Sequence, residues 1–157
     1  MGLSPTKVLK YLNFKFNSLE LDEYYYVTIL YGVFNKKTKE LKISNAGHNC
    51  MPILIGVETV EEAFIPGTPI SPLFKDINHM EKSYHIDEGE RIIFYTDGIS
   101  EAKNRNREIY GGRILDVVKK HKDEKNSNLI SLILEDVKNF SEGNITDDIA
   151  IFILEPQ

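Results

Sequence analysis

Three carboxylates in two short clusters are the residues of this chain best suited to chemistry. Asp97 follows the run Ile92-Ile93-Phe94-Tyr95 and precedes Gly98, while Asp147 and Asp148 precede the apolar run Ile149 to Leu154. If the two runs are neighbouring antiparallel strands, one ends where the other begins, and Asp97 and Asp147 reach the same edge of one sheet. Carboxylates without thiolates or paired imidazoles form a hard-oxygen site that suits magnesium or manganese. A strand end also holds a ligand more firmly than a loop does. Asp97 has a plainer reading as a turn residue, because Asp-Gly after a strand is common turn chemistry.

A second group is Asn45-Ala46-Gly47-His48-Asn49. Gly47 permits a backbone turn that a larger residue would resist. His48 in that bend is either a metal ligand or general acid, or a hydrogen-bonded loop residue. Cys50, the one cysteine, excludes an internal disulfide and fits a reducing compartment. Among apolar neighbours it reads as a small core residue and not as a nucleophile. His79 and His85 have no partner at ligand spacing and read as structural.

The elements that must position these residues follow from local pattern. Ser4-Pro5 marks a helix start, and Val8, Leu9, Leu12 and Phe16 give it one apolar stripe to about Asn17. Tyr24 to Phe34 reads as a long strand, Asn35 to Thr38 as a turn and Leu41 to Ser44 as the return strand. The three tyrosines at its start, Tyr24 to Tyr26, suit a ligand platform less well than strand packing. Met51 to Ile55 and Val57 to Ile65 read as strands, and the proline-rich Pro66 to Pro72 as a surface loop. Tyr84 to Ile86 reads as a strand turning through Asp87-Glu88-Gly89 into the central strand. That strand, Ile92 to Tyr95, is apolar enough to be covered on both faces. Asp97-Gly98 then reads as a tight turn, followed by a polar segment from Glu101 to Tyr110. A helix carrying Ile114, Val117, Val118 and His121 follows, then a charged linker, Lys119 to Lys125. A second helix begins at a cap on Asn126 or Ser127 and carries Leu129, Ile130, Ile133, Val137 and Phe140. A helix, five or six antiparallel strands, two helices and a final strand make an α/β sandwich pattern, not an alternating βαβ one.

The chain has 157 residues, enough for one domain with a substantial core. With a net charge of −5 and no basic stripe, nucleic acid is an unsuitable partner. No apolar run approaches the roughly 20 residues needed to cross a bilayer, and no signal-peptide core is visible. The expectation is a cytoplasmic chain, or the cytosolic part of a longer sensor protein, without direct membrane insertion.

Taken in order, the motifs resemble the bacterial branch of the metal-dependent protein phosphatase 2C superfamily, the SpoIIE and RsbU serine phosphatases. Ser4-Pro5 with Val8-Leu9 and Leu12-Asn13 resembles that branch's "SP…VL…LN" helix, and Asn45 to His48 its "NAGH" turn. Phe94 to Ala102 resembles "YTDG(V/I)(T/S)EA", Tyr110-Gly111 the following "(F/Y)G", and Asp147-Asp148-Ile149 the "DDI" before the last strand. The likeness spans nearly all of residues 1–157, and five motifs in the right order make it specific.

The resemblance implies an α-β-β-α sandwich of antiparallel sheets and a site for two manganese or magnesium ions. It implies hydrolysis of phosphoserine on a regulatory protein, such as an anti-sigma-factor antagonist, by an activated water and not by a catalytic side chain. Carried over, Asp97 and Asp147 are metal ligands, Asp148 an outer residue or alternative ligand, and Gly98, Gly47 and His48 supporting turn residues. The family's first strands, with an Asp bridging both metals, and its "GDVSGHG"-like turn have no counterpart here. Pro69-Ile70-Ser71 also departs from its usual "PLG". The expectation is thus a domain lacking its N-terminal strands, with too few ligands for two ions that take about six oxygens each. Two functions follow: part of a phosphoserine phosphatase, nearly inactive alone, or a non-catalytic module for binding or dimerisation. An upstream Gly-Asp-x-x-Gly-His-Gly turn would favour the first, and a true start at Met1 the second. Missing strands would leave open sheet edges, so self-association is expected. A haloacid-dehalogenase-like site is excluded, since its nucleophile motif needs Asp where Tyr95 stands.

Overall fold

A computed structural model describes residues 4–156. The chain divides into two compact units: residues 1–49 with 64–87, and residues 50–63 with 88–157. The first unit holds helix α1 (Pro5–Asn17) and strands β1 (Ile29–Asn35), β2 (Glu40–Ala46) and β5 (Glu81–His85). The second holds β3 (Ile53–Ile55), β4 (Val60–Glu62), β6 (Arg91–Tyr95), α2 (Asp97–Ser100), α3 (Arg113–Lys120), α4 (Asn126–Phe140) and β7 (Ile151–Leu154).

In the first unit the strands run in the order β1-β2-β5, all antiparallel. The β1–β2 hairpin forms where Asn35-Lys36-Lys37-Thr38 predicts it, because the Asn35 carboxamide oxygen accepts from the amides of Lys37 and Thr38. Helix α1 buries Leu9 with Ala46 and Ile70, flanked by Leu12, Phe16, Ile29 and Tyr31. The buried Asn13 on the same helix donates to the carbonyls of Phe74 (3.2 Å) and Lys75 (3.0 Å), fixing the loop before β5.

Three local expectations fail in this unit. The strand does not begin at Tyr24: Tyr24, Tyr25 and Tyr26 are 84, 59 and 67% exposed, so strand packing does not explain them. Their aromatic character fits a strand, but no neighbouring strand pairs with that stretch except at the isolated Val27–Ile70 bridge. That bridge also pins the proline-rich segment, whose Ile70 and Ser71 are buried, so it is not purely a surface loop. Nor does the strand before Asp87 turn into β6. Its partner is β2, with His85 opposite Glu40, because a strand's pairing depends on distant residues and not on the nearest turn.

His79, just before β5, is 8% exposed, and neither ring nitrogen has a hydrogen bond of normal geometry. Burial lowers its pKa, and the nearby Asn45 backbone offsets this only in part. The neutral ring is therefore the resident form, in keeping with a structural role.

In the second unit the order is β4-β3-β6-β7, again antiparallel throughout. Ile92 and Ile93 are both fully buried, so β6 is covered on both faces as its composition predicts. The core joins Ile53, Ile55, Ile93 and Tyr95 to Ile114 and Val118 of α3 and Leu129, Ile133 and Val137 of α4. Those helix residues recur at helical spacing, giving each helix one apolar stripe against the sheet. The cap of α4 is Lys125, not Asn126 or Ser127. Asn126 is instead drawn away by the buried Arg91, whose guanidinium donates to its side chain (2.9 Å) and to the carbonyls of Glu124 and Lys122. Asp136 on α4 accepts from Arg113 and from the Tyr110 hydroxyl (both 2.8 Å), tying α3 and the preceding loop to α4. Hydrogen bonding from Arg113 holds its pKa below the usual carboxylate range.

Candidate metal and phosphate site

The central juxtaposition lies where β6 ends and β7 begins. The two strands pair antiparallel with Tyr95 opposite Ile151. Continuing that register brings Asp97 on one side and Asp147-Asp148 on the other to the same sheet edge. Asp97 is half-buried, whereas Asp147 and Asp148 are exposed.

Asp97 does not sit in a tight turn. It is the first residue of the short helix α2, and Gly98 its second. The glycine is required here by approach: a Cβ on Gly98 would stand 2.4 Å from the carbonyl oxygen of Asp148 and 3.2 Å from that of Asp147. Beneath α2, the Cys50 sulfur lies 3.5 Å from the Ser100 hydroxyl. Cys50 is 3% exposed, and burial raises its thiol pKa, so it is the inert core residue expected.

Three further hydrogen bonds lock the second cluster. The Thr96 hydroxyl donates to the Asp148 carbonyl (3.0 Å) and accepts from the Ala150 amide (2.9 Å). The Asp147 carboxylate accepts from the Asp148 amide (2.8 Å). Nothing in local sequence pattern singles out Thr96, since its partners lie 52 and 54 residues away. Its sequence signal is its place in the Phe94 to Ala102 motif, between a strand and Asp97.

Gly47 and His48 belong to the other unit, where they form a knot of their own. The carboxamide of Asn45, 1% exposed, accepts from the His48 amide (2.8 Å) and donates to the carbonyls of His48 (2.9 Å) and Ile65 (2.6 Å). Gly47 has φ +78°, and a Cβ there would meet the Pro69 ring at 2.4 Å. A Cβ on Gly67 would meet the Asn45 carbonyl oxygen at 2.0 Å. These contacts account for Asn45 and Gly47 through structure, and they hold the backbone of His48 on both sides. Asn45 is the residue of this turn that sequence reasoning overlooks.

Among the described residues no group of three or more His, Cys, Asp or Glu side chains gathers as a metal site. Asp97 and Asp147 match a hard divalent cation in donor type but are by themselves too few to fill a coordination shell.

Known proteins share this fold. The family model "Stage II sporulation protein E (SpoIIE)" matches residues 1–157. Phosphoserine phosphatase RsbP of Bacillus subtilis is 27% identical over 157 residues, covering 98% of this chain and 37% of RsbP. The chain thus spans well under half of that relative's length. Among solved structures, the SiaA-PP2C domain of Pseudomonas aeruginosa superposes with a TM-score of 0.79 at 15% identity, over 97% of this chain and 61% of that one. The phosphatase domain of SpoIIE from Bacillus subtilis, presoaked with manganese, gives 0.68 at 18% identity, over 95% of this chain and 64% of that one. The mixed helix and antiparallel-sheet fold is thus that of phosphatase 2C-like domains. The chain belongs to the Stage II sporulation protein E (SpoIIE) family.

Proposed function

We propose that this chain contributes to metal-dependent hydrolysis of phosphoserine on a regulatory protein, such as an anti-sigma-factor antagonist. The observation that carries the reading is the β6–β7 register, which brings Asp97 and Asp147 to the same sheet edge. Asp97 and Asp147 hold manganese or magnesium, and Asp148 serves as an outer or alternative ligand. The bound cations would acidify water and neutralise charge on the phosphoryl oxygens. The protein's own part is to fix the carboxylates: Gly98 admits the Asp148 backbone, and Thr96 grips it. His48 supports its turn and takes no assigned step. Further oxygens must complete the shell, so residues 1–157 alone have low activity.

Calorimetric titration of manganese into the chain and into Asp97→Asn tests this reading. Binding that falls at least tenfold in the variant is expected. Equal binding by both would sink the assignment. A second reading, a non-catalytic module for binding or dimerisation, draws support from the absence of a three-ligand group among the described residues. Hydrolysis of a phosphoserine peptide, with manganese present, separates the two.

Self-association is part of the proposal. β1 and β5 are edge strands of one sheet, β4 and β7 of the other, and Tyr24 to Tyr26 are exposed beside β1. Unpaired edges and apolar patches favour pairing between copies. Sedimentation equilibrium at micromolar concentration is expected to show a dimer or larger species, and a clean monomer would refute it. The same reading places the chain in the cytoplasm; among the described residues no helix is long and apolar enough to cross a membrane.

A further inference from the structure

We propose that Thr96 is a positioning residue that sets Asp147 relative to Asp97; the inference rests on the metal-ligand reading of those two carboxylates. Thr96 is extended (φ −98°, ψ 163°) and precedes α2, where a threonine usually caps the helix with its hydroxyl. It makes no such bond. The hydroxyl is directed across the strand pair instead.

The reason lies in the sheet ladder. Thr96 and Ala150 stand one step beyond the pair Tyr95–Ile151. Residues in a hydrogen-bonded antiparallel pair exchange two bonds, each amide donating to the other's carbonyl. Here the Thr96 amide donates to the Ala150 carbonyl (3.1 Å), but the Thr96 carbonyl has turned into α2 and accepts from Ile99 (3.1 Å). The Ala150 amide would lose its partner at this point. The Thr96 hydroxyl substitutes for the missing carbonyl, accepting from Ala150, and passes its own proton on to the Asp148 carbonyl. A hydroxyl can do both at once, as donor and acceptor.

This arrangement lets β6 end in a helix without releasing β7. Asp97 is the residue after Thr96, and Asp147 the residue before the Asp148 carbonyl that Thr96 grips. Each carboxylate is thus one residue from the bracket. Valine preserves the shape of threonine but provides neither bond, whereas serine provides both.

The test compares the chain with Thr96→Val and Thr96→Ser by amide hydrogen exchange and by paramagnetic broadening of backbone amides on titration with manganese. In Thr96→Val, Ala150 exchange is expected to rise at least tenfold while Ile92 to Phe94 keep their protection. Manganese affinity, read at amides beside Asp97 and Asp147, is expected to fall about tenfold, as for residues that orient metal ligands. Thr96→Ser is expected to restore both. Unchanged Ala150 exchange in the valine variant overturns the bracket. Lost protection with unchanged manganese affinity overturns the positioning role. If the parent chain shows no broadening at either carboxylate, the metal reading falls and the positioning role falls with it. That result is distinct from one in which the parent binds and the valine variant binds equally.

Discussion

Gly98→Ala is expected to destabilise the chain by about 2–3 kcal/mol, the upper range for forcing atoms into a packed position. The new methyl would lie 2.4 Å from the Asp148 carbonyl oxygen and 2.9 Å from its carbonyl carbon. Both are backbone atoms, so no side chain can rotate away. Either α2 shifts from β7 or the Asp147-Asp148 segment shifts from β6. Either movement would carry Asp97 away from Asp147, which the proposed site needs together. Thermal unfolding should show the loss of stability, and manganese titration should show a loss of affinity beyond tenfold. A variant with parental stability and affinity would mean that the close approach is not needed.

The second large effect is expected at Asn45, in the turn that carries Gly47 and His48. Asn45→Ala removes three hydrogen bonds, those with the His48 amide and with the carbonyls of His48 and Ile65. An unsatisfied buried group costs about 1–3 kcal/mol, and water reaches some of the freed groups, so a net loss of about 3 kcal/mol is expected. For a chain of this size that lowers the unfolding temperature by roughly 10 °C. Asn45→Asp keeps the acceptor for the His48 amide but loses both donors, and its negative charge would face two carbonyl oxygens. It should therefore rescue little. Differential scanning calorimetry checks both variants. An Asn45→Ala protein melting within a degree or two of the parent would show that the carboxamide is dispensable.

The residues that could be read correctly from sequence were those whose signal is local. Ile92 to Tyr95 are apolar on both faces, and the strand they form is buried on both faces. Leu129, Ile133 and Val137 recur at helical spacing and line one buried stripe. The shared sheet edge of Asp97 and Asp147 also follows from a simple argument, because antiparallel neighbours bring the end of one run to the start of the other. Errors arose where local chemistry permits two outcomes. Asp-Gly serves a turn or a helix start, and Asp97-Gly98 starts α2 because the Asp148 backbone occupies the space beside it. Asp87-Glu88-Gly89 suits a hairpin, but Tyr84 pairs with Leu41 in β2 instead. Thr96 and Asn45 lie inside recognisable motifs, but their roles are not legible locally, because their side chains bond backbone groups that only the fold brings within reach.

The interleaving of the two units also gives synthesis on the ribosome a direction. The first unit has its last strand, β5, in hand once residue 87 has been made, so all its strand pairings can form early. The second unit receives β3 and β4 within residues 50–63, but β6 and β7 arrive only at residues 91–95 and 151–154. Folding during synthesis proceeds from the N-terminus. The emerging chain must therefore carry β3 and β4, with the buried Ile53 and Ile55, as a waiting hairpin until β6 joins them. Asp147 is made about 50 residues after Asp97. Asp97 and Asp147 can share their sheet edge only once β7 has followed β6 out of the ribosome.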